Sequence, residues 1–396
     1  MTRSLLVLLV VGSPIGGCQA PAPQPSAAAV RIPAGAEPLA VAIADWNRDG
    51  KPDLGVSNQG GANVSVFLGD GRGAFRPADG SPFPAGDHPT ALAAGDLNED
   101  GLTDLAIANH DTSYLTVLLG DGKGGLRAGP GSQVTVASRP HPHMIATADF
   151  DRDGHLDLVT DSWQEDQLLV LWGDGKGGFP PPHSRLATGH MPYYNVIAAD
   201  LDGDGAADLA VPNHEGSGVT VLLNRSGRRF EPAPGSPFPL GESPFGVAAG
   251  DIDGDGHPDL ALVHYSGQIS DRSKDAISLL LGDGRGGFRP AAGSPFAASG
   301  SPVRVTMADV DGDGVQDVAA GFIGTREVRV WWGGRGGRGG SLRPGPVYPA
   351  GEVEGLAAGD LDGDGRADLV APDLTGNAVT VFLSRRTAER SPKGKP

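Results

Sequence analysis

An acidic, glycine-punctuated loop of the form D-x-[DN]-x-D-G-x-x-D occurs seven times in this chain, opening at Asp45, Asp96, Asp149, Asp200, Asp251, Asp309 and Asp360. The intervals between openings are 51, 53, 51, 51, 58 and 51 residues. A near-constant period of this length describes an array of equal supersecondary units, each burying its apolar face only against its neighbours. Because the period runs through almost all of the 396 residues, one closed repeat domain is expected.

The fourth repeat shows the unit. Asn195-Val-Ile-Ala-Ala is a short apolar strand running into the acidic loop Asp200–Asp208. Leu209-Ala-Val forms a second strand, Val219-Thr-Val-Leu-Leu a third, and Phe230 opens a more polar fourth. No stretch carries a 3.6-residue apolar period, so helix is not expected. Four short strands per repeat make one blade, and the fold class predicted is an all-β, seven-bladed β-propeller of four-stranded blades. The seventh repeat stops after its third strand, Ala378-Val-Thr-Val-Phe-Leu, while Val30-Arg-Ile-Pro-Ala-Gly precedes the first repeat. The N-terminal strand is therefore expected to complete the last blade and remove its open edge.

Four carboxylates packed into one short loop repel one another unless a cation is present. A hard cation such as Ca²⁺ takes six to eight oxygens from alternating positions around a glycine turn. The ligand set predicted uses side chains at positions 1, 3, 5 and 9 and the backbone carbonyl at position 7. In the first two loops these are Asp45, Asn47, Asp49, Lys51 and Asp53, then Asp96, Asn98, Asp100, Leu102 and Asp104. The third and fourth give Asp149, Asp151, Asp153, His155 and Asp157, then Asp200, Asp202, Asp204, Ala206 and Asp208. The fifth and sixth give Asp251, Asp253, Asp255, His257 and Asp259, then Asp309, Asp311, Asp313, Val315 and Asp317. The seventh gives Asp360, Asp362, Asp364, Arg366 and Asp368. Asn47 and Asn98 remove one charge each, so those two loops should bind more weakly. Asp-Gly can also simply turn a hairpin, but a turn requires neither four acids nor an Asp fixed three residues after the Gly.

The formal net charge of −17 argues against a nucleic-acid partner. Up to seven Ca²⁺ ions would add about +14 and account for most of that acidity.

These cores, such as Ala358-Gly-Asp-Leu-Asp-Gly-Asp-Gly365, together with the Gly-Asp-Gly-x-Gly-Gly-Phe turns at Gly173–Phe179 and Gly282–Phe288, resemble the FG-GAP/VCBS repeats of integrin-α-like seven-bladed propellers. The resemblance spans about residues 30–386 and implies Ca²⁺ in the matching loops. It implies function only as a class, since such propellers serve as adhesion modules, lectins and accessory domains of carbohydrate-active enzymes. The sixth repeat departs from the pattern, with Gly333-Gly-Arg-Gly-Gly-Arg-Gly-Gly in place of the usual turn. The Gly-rich turn lies between two strands, so no helix N-terminus there faces a phosphate. Phe75, Phe179, Phe230 and Phe288 are expected to pack between blades.

Residues 1–18 read as an export signal, with Arg3 as the only charge and an apolar run from Leu5 to Val11. The run ends in Ile15-Gly16-Gly17-Cys18, which resembles the lipobox of bacterial lipoproteins and implies a lipid on Cys18, the only cysteine. Residues 19–29 are a Pro/Ala-rich tether and 387–396 a polar tail. The expectation is a monomer in the bacterial cell envelope, touching the membrane only through that lipid.

Acidic loops and Gly-rich turns share one face of such a ring. The opposite face collects His88, His110, His141, His143, His190, His214 and His264, seven of ten histidines, with Trp163, Tyr193, Tyr194 and Tyr265. Loops of that face make up about a quarter of the chain, so this is an enrichment. The insertion Ser266–Asp275 falls there too. Three readings are open. One is a binding module whose aromatics stack on a carbohydrate or protein ligand. The second is an enzyme whose histidines hold a transition metal or move protons. The third is separate His and Tyr residues capping strand ends.

Overall fold

The computed structural model describes residues 28–136, 142–162, 166–189, 192, 195–225, 227–334 and 340–384. Seven antiparallel sheets follow one another along the chain, six with their strands in sequence order from the channel outward and the seventh taking the N-terminal strand as its outermost. In the first blade the inner strand Pro38–Ala44 pairs with Asp53–Asn58, which pairs with Asn63–Gly69. The chain is thus an all-β, seven-bladed propeller. Among the described residues its one helical turn is the 3₁₀ segment Gln59–Gly61, and no helix is long and apolar enough to cross a membrane.

Each second strand is buried on both faces, as in Asp104–Asn109, because blades pack against it from either side. The core is correspondingly a set of inter-blade clusters. One joins Leu105, Ile107 and Leu118 of the second blade to Trp46, Val64 and Val66 of the first. Phe179 is buried in the seam between the second and third blades, and Phe75, Phe230 and Phe288 are partly buried in other seams, as expected.

The outer position departs from a single fourth strand. In blades 1, 4 and 5 the third strand pairs with two short pieces, for example Phe75–Pro77 and Phe83–Pro84. Between them Ala78, Ala233 and Ala291 are buried. Ser81, Ser236 and Ser294 accept the N–H groups of Val66, Val221 and Leu279, which the interrupted ladder would otherwise leave unpaired.

Closure follows the expected pairing, two residues longer than anticipated. Ala28–Pro33 runs antiparallel to Ala378–Leu383, with Val30 opposite Val381, so Ala28 and Ala29 belong to the sheet and not to a tether. The seam between last and first blades buries Ile32, Leu54, Val56, Val379 and Val381. Arg31 adds an ion pair to Asp373 at 2.8 Å, and Asn377 accepts the Glu37 N–H. Residues 1–27, with Cys18 and the expected export signal, and 385–396 lie outside the described residues.

Deleting residues 1–33 should therefore lower the melting temperature and promote aggregation through the exposed edge of Ala378–Leu383, whereas deleting 1–26 should leave melting unchanged. Equal behaviour of the two truncations in a thermal scan with light-scattering readout contradicts this closure.

Candidate functional site

The acidic loops are built by backbone hydrogen bonds onto their own side chains. At position 1, Oδ2 of each Asp accepts the N–H of the position-6 glycine at 2.8–3.0 Å. Those glycines have positive φ, for example 77° at Gly50 and 94° at Gly154, where a Cβ would be strained. At position 5, Oδ1 accepts the position-7 N–H, as from Lys51 to Asp49 and from Arg366 to Asp364.

Position 9 is different. Asp53, Asp104, Asp157, Asp208, Asp259, Asp317 and Asp368 are all buried. In every blade one oxygen accepts the N–H of loop position 2, and the other accepts an N–H at the end of the third strand. In the fourth blade the donors are Leu201 at 2.8 Å and Asn224 at 2.7 Å. The same pair of bonds recurs at Asp53 from Trp46 and Gly69, and at Asp368 from Leu361 and Ser384. Position 9 thus locks loop to blade whatever else it contacts.

Three carboxylates offer oxygens within 4.8 Å of one another in five of the loops. They come from positions 1, 3 and 9 in the sets Asp149/Asp151/Asp157, Asp200/Asp202/Asp208, Asp309/Asp311/Asp317 and Asp360/Asp362/Asp368, and from Asp251/Asp253/Asp255 in the fifth loop. The structure therefore clusters position 9 with 1 and 3 more often than position 5. In the fifth loop Asp253 Oδ1 is buried with no hydrogen-bond donor. An all-oxygen donor set with such an atom fits a hard divalent cation. Loops 3 and 4 carry a competitor: Arg228 Nε lies 2.6 Å from Asp151 Oδ2, and Arg225 Nη1 2.6 Å from Asp202 Oδ2.

Without a cation, burial pushes Asp104, Asp157, Asp208 and Asp259 up to about 6 and Asp317 and Asp368 to about 7, against the opposing pull of their two backbone N–H donors. Asp53 is raised for the same reason.

On the opposite face the structure brings the predicted residues together as two groups. In blades 2 and 3, His88 and His110 both contact Asp111, and His143 contacts Asp161. In blades 4 and 5, His214, Phe245 and Tyr265 form an edge-to-face run with centroids 5.4 and 5.5 Å apart. Tyr265 and Phe245 are buried against Val303 and Ile323. His264 is also buried. Its Nδ1–H points at the Glu242 carbonyl at 3.0 Å, its Nε2 accepts from Ser278 at 2.8 Å, and burial lowers its pKa to about 4. His264 thus has both ring nitrogens engaged within the protein while it also borders a cleft beside the insertion, and Tyr265 packs its ring with Phe245, Val303 and Ile323. His141, Trp163, His190, Tyr193 and Tyr194 lie outside the described residues.

The inner strands leave a channel with a cavity of about 340 Å³, reached by Thr90, Met144, Asn195, Thr306 and Arg304 from four different blades. Arg304 Nε donates to the Glu354 carbonyl at 2.8 Å, and Asn195 Nδ2 to the Val247 carbonyl at 3.0 Å. These residues stand where inner strands begin, on the histidine-bearing face. The insertion borders a second cleft of about 490 Å³ lined by Glu242, His264, Lys274 and Asp275. Asp111 and Asp161 were not singled out from sequence. Asp161 was legible, since aligning the repeats puts a lone carboxylate there among uncharged residues.

The profile of the FG-GAP-like repeat matches residues 45–107, 96–160, 212–262 and 266–320, more than half of the chain. Cartilage acidic protein 1 of Xenopus tropicalis is 32% identical over 153 residues, covering 34% of this chain and 24% of the relative. The chain thus spans about a quarter of the length of the curated relatives it matches. Among solved structures, virginiamycin B lyase from Staphylococcus aureus superposes with a TM-score of 0.56 at 11% identity, covering 90% of this chain and 98% of that one. A lectin from Agrocybe aegerita, described as recognising non-reducing terminal N-acetylglucosamine, gives a TM-score of 0.51 at 20% identity, covering 88% and 86%. At these identities both establish the fold alone.

Two predictions follow the roles of these carboxylates. Asp208→Ala, which strips the acceptors of the Leu201 and Asn224 N–H groups, should cost about 2–4 kcal/mol in urea unfolding even with chelator present. Asp204→Ala, at an exposed position 5, should cost less than about 1 kcal/mol under the same conditions; similar losses would contradict the distinction. For pH, a carboxyl whose folded pKa is raised binds protons in the folded state that the unfolded state has already released. Stability of the chelated protein should therefore fall as pH rises from about 4 to about 7 and level off above, and a rise across that window in a series of urea titrations would be the contrary result.

Proposed function

The chain belongs to the FG-GAP-like repeat family, and from that premise we propose that it is a calcium-loaded propeller that binds an extracytoplasmic carbohydrate or protein ligand. In this reading the acidic loops hold Ca²⁺ and keep the blades in register, and recognition takes place on the opposite face, at the mouth of the channel. The observation that carries it is the cavity where Thr90, Asn195 and Arg304 stand among Met144, Leu92 and Ile197. A few convergent polar groups over an apolar wall suit a sugar or a peptide better than a lipid. The lectin with the same architecture adds support for a glycan. Export and a lipid on Cys18 would place the module in the cell envelope. A second reading, a carbohydrate-active enzyme, is favoured by the buried His143–Asp161 pair, which has the form of an oriented base.

Removing calcium should lower the melting temperature strongly, since each site at about 100 times its Kd contributes about 2.7 kcal/mol. Ca²⁺ should restore it, and Mg²⁺ only poorly, because its tight octahedral shell suits these loops badly. Identical calorimetric scans in chelator and in Ca²⁺ would refute the cation role. For recognition, Arg304→Ala should abolish capture on a glycan or peptide array while calcium-dependent melting is retained. Binding that survives this change but disappears with Asp364→Ala would place the ligand on the acidic-loop face.

A further inference from the structure

The turn after the third strand of blade 4 differs from its counterparts in other blades. There Phe75, Leu126 and Phe288 pair back onto Gly69, Gly120 and Gly282, and an Asp follows each glycine: Asp70, Asp121 and Asp283. That Asp accepts two turn N–H groups through Oδ1, as at Asp121 from Lys123 and Gly125 at 2.8 Å each. In blade 4 Phe230 pairs onto Asn224, and Arg225 replaces the Asp. Three residues further on, where the others have Gly73, Gly124 and Gly286, stands Arg228 with a left-handed φ of 62°. A side chain is strained there and glycine is not, and such strain persists only where the surroundings impose it.

What these residues reach are the acidic loops of blades 3 and 4. Arg228 crosses the seam: its Nε lies 2.6 Å from Asp151 Oδ2 and its Nη2 3.8 Å from Asp153, with the guanidinium 4.5 Å over the Trp172 ring. Arg225 Nη1 lies 2.6 Å from Asp202 Oδ2 and 3.8 Å from Asp204. Arg152, at position 4 of loop 3, donates to both the carbonyl and Oδ1 of Asp204 at 3.0 Å. Asn224 makes the inter-blade bond that Gly124 and Gly177 make elsewhere, its Nδ2 donating to the Phe150 carbonyl at 2.7 Å. The Asp151 and Asp202 side chains are only 7% exposed, so salt screens their ion pairs less than pairs at the open surface.

A guanidinium stays charged throughout the physiological pH range and presents its N–H groups as a fixed fork. Each arginine thus sets a permanent positive charge against positions 3 and 5 of its loop, whose carboxylates otherwise repel one another. In loop 5 the position-3 carboxylate is left differently, with Asp253 Oδ1 buried and without a donor.

We propose that Arg228 and Arg225 are the resident cations of loops 3 and 4, and that they hold blades 3 and 4 together when Ca²⁺ is absent. The inference rests on the calcium reading of the loops. Chelation loosens loop 5, whereas the seam between blades 3 and 4 persists. One charge stands in for two, so Ca²⁺ still enters loops 3 and 4, by displacing the arginine from position 3.

The test is hydrogen exchange of the full chain, read by mass spectrometry in Ca²⁺ and after chelation, for wild type, Arg228→Gln and Arg225→Gln. On chelation the wild type should lose protection over 251–259 and keep it over 149–157 and 200–208. In chelator, Arg228→Gln should make 149–157 exchange about tenfold faster, and Arg225→Gln should do the same to 200–208. Both variants should match wild type in Ca²⁺, which shows that they fold. A wild-type loss over 149–157 and 200–208 equal to that over 251–259 overturns the proposal alone. So do variants that exchange as wild type in chelator, or that lose protection in Ca²⁺ as well. Exchange unchanged by chelation in every loop, the fifth included, overturns the calcium reading and the proposal with it.

Discussion

The structure depends on one repeated interaction: a buried carboxylate that accepts one backbone N–H from its own loop and another from the end of the third strand. In the sixth blade this is Asp317, held by Val310 at 2.9 Å and Gly333 at 2.9 Å. Both donors are buried and would have no other acceptor, so the carboxylate settles where the loop leaves the sheet. It also brings a negative charge into a place where burial resists it, as its pKa of about 7 records. The same atoms that make the blade rigid thus leave the loop electrostatically incomplete, a need that the proposed divalent cation would meet.

Rigidity passes between blades through the same face. Gly124 and Gly177 of the Gly-rich turns donate to the carbonyls of Trp46 and Leu97, each at position 2 of the preceding blade's loop. Position 2 therefore contacts both the locking Asp and the neighbouring blade. The far face carries locks of its own, such as Asn58 and Asn109 accepting the Gly35 and Gly86 N–H groups at 3.1 Å, yet its loops differ more from blade to blade. Divergence is what the far face shows: His143 and Asp161 in one blade, Arg304 in another, the 266–275 insertion in a third.

Much of this was legible in the sequence because the repeat is itself a physical statement. The period and the truncated seventh unit predicted blade number and closure, and Val30 falls opposite Val381 as that reading requires. Other features were less visible. Ala-x-Gly-Ser-Pro segments such as Ala78–Pro82 carry no strand pattern of their own, yet Ser81 accepts the Val66 N–H and Phe83 rejoins the sheet opposite Val64. Counting oxygen donors gave position 9 a single role as ligand, because a list of acids does not reveal that both oxygens face backbone N–H groups. The seven histidines of the far face looked like one patch, since strand direction gives the face but not the azimuth around the ring. The structure groups His88, His110 and His143 apart from His214, and engages both ring nitrogens of His264 within the protein.

The loops are not equivalent, and that inequality offers the most direct test. Loops 1 and 2 have Asn47 and Asn98 in place of a carboxylate. Arg228 and Arg225 already neutralise position 3 in loops 3 and 4. In loop 5, Asp253 Oδ1 is buried with no hydrogen-bond donor. A crystal structure of the protein grown in Ca²⁺, with ions located by anomalous scattering, measures the occupancies side by side. Occupancy is predicted to be fullest in loop 5 and weakest in loops 1 and 2, with oxygens of positions 1 and 3 at about 2.3–2.6 Å from each ion. Loops without ions, their position-9 carboxylates still bonded to the two backbone N–H groups, would show that these acids serve the fold alone and contradict it.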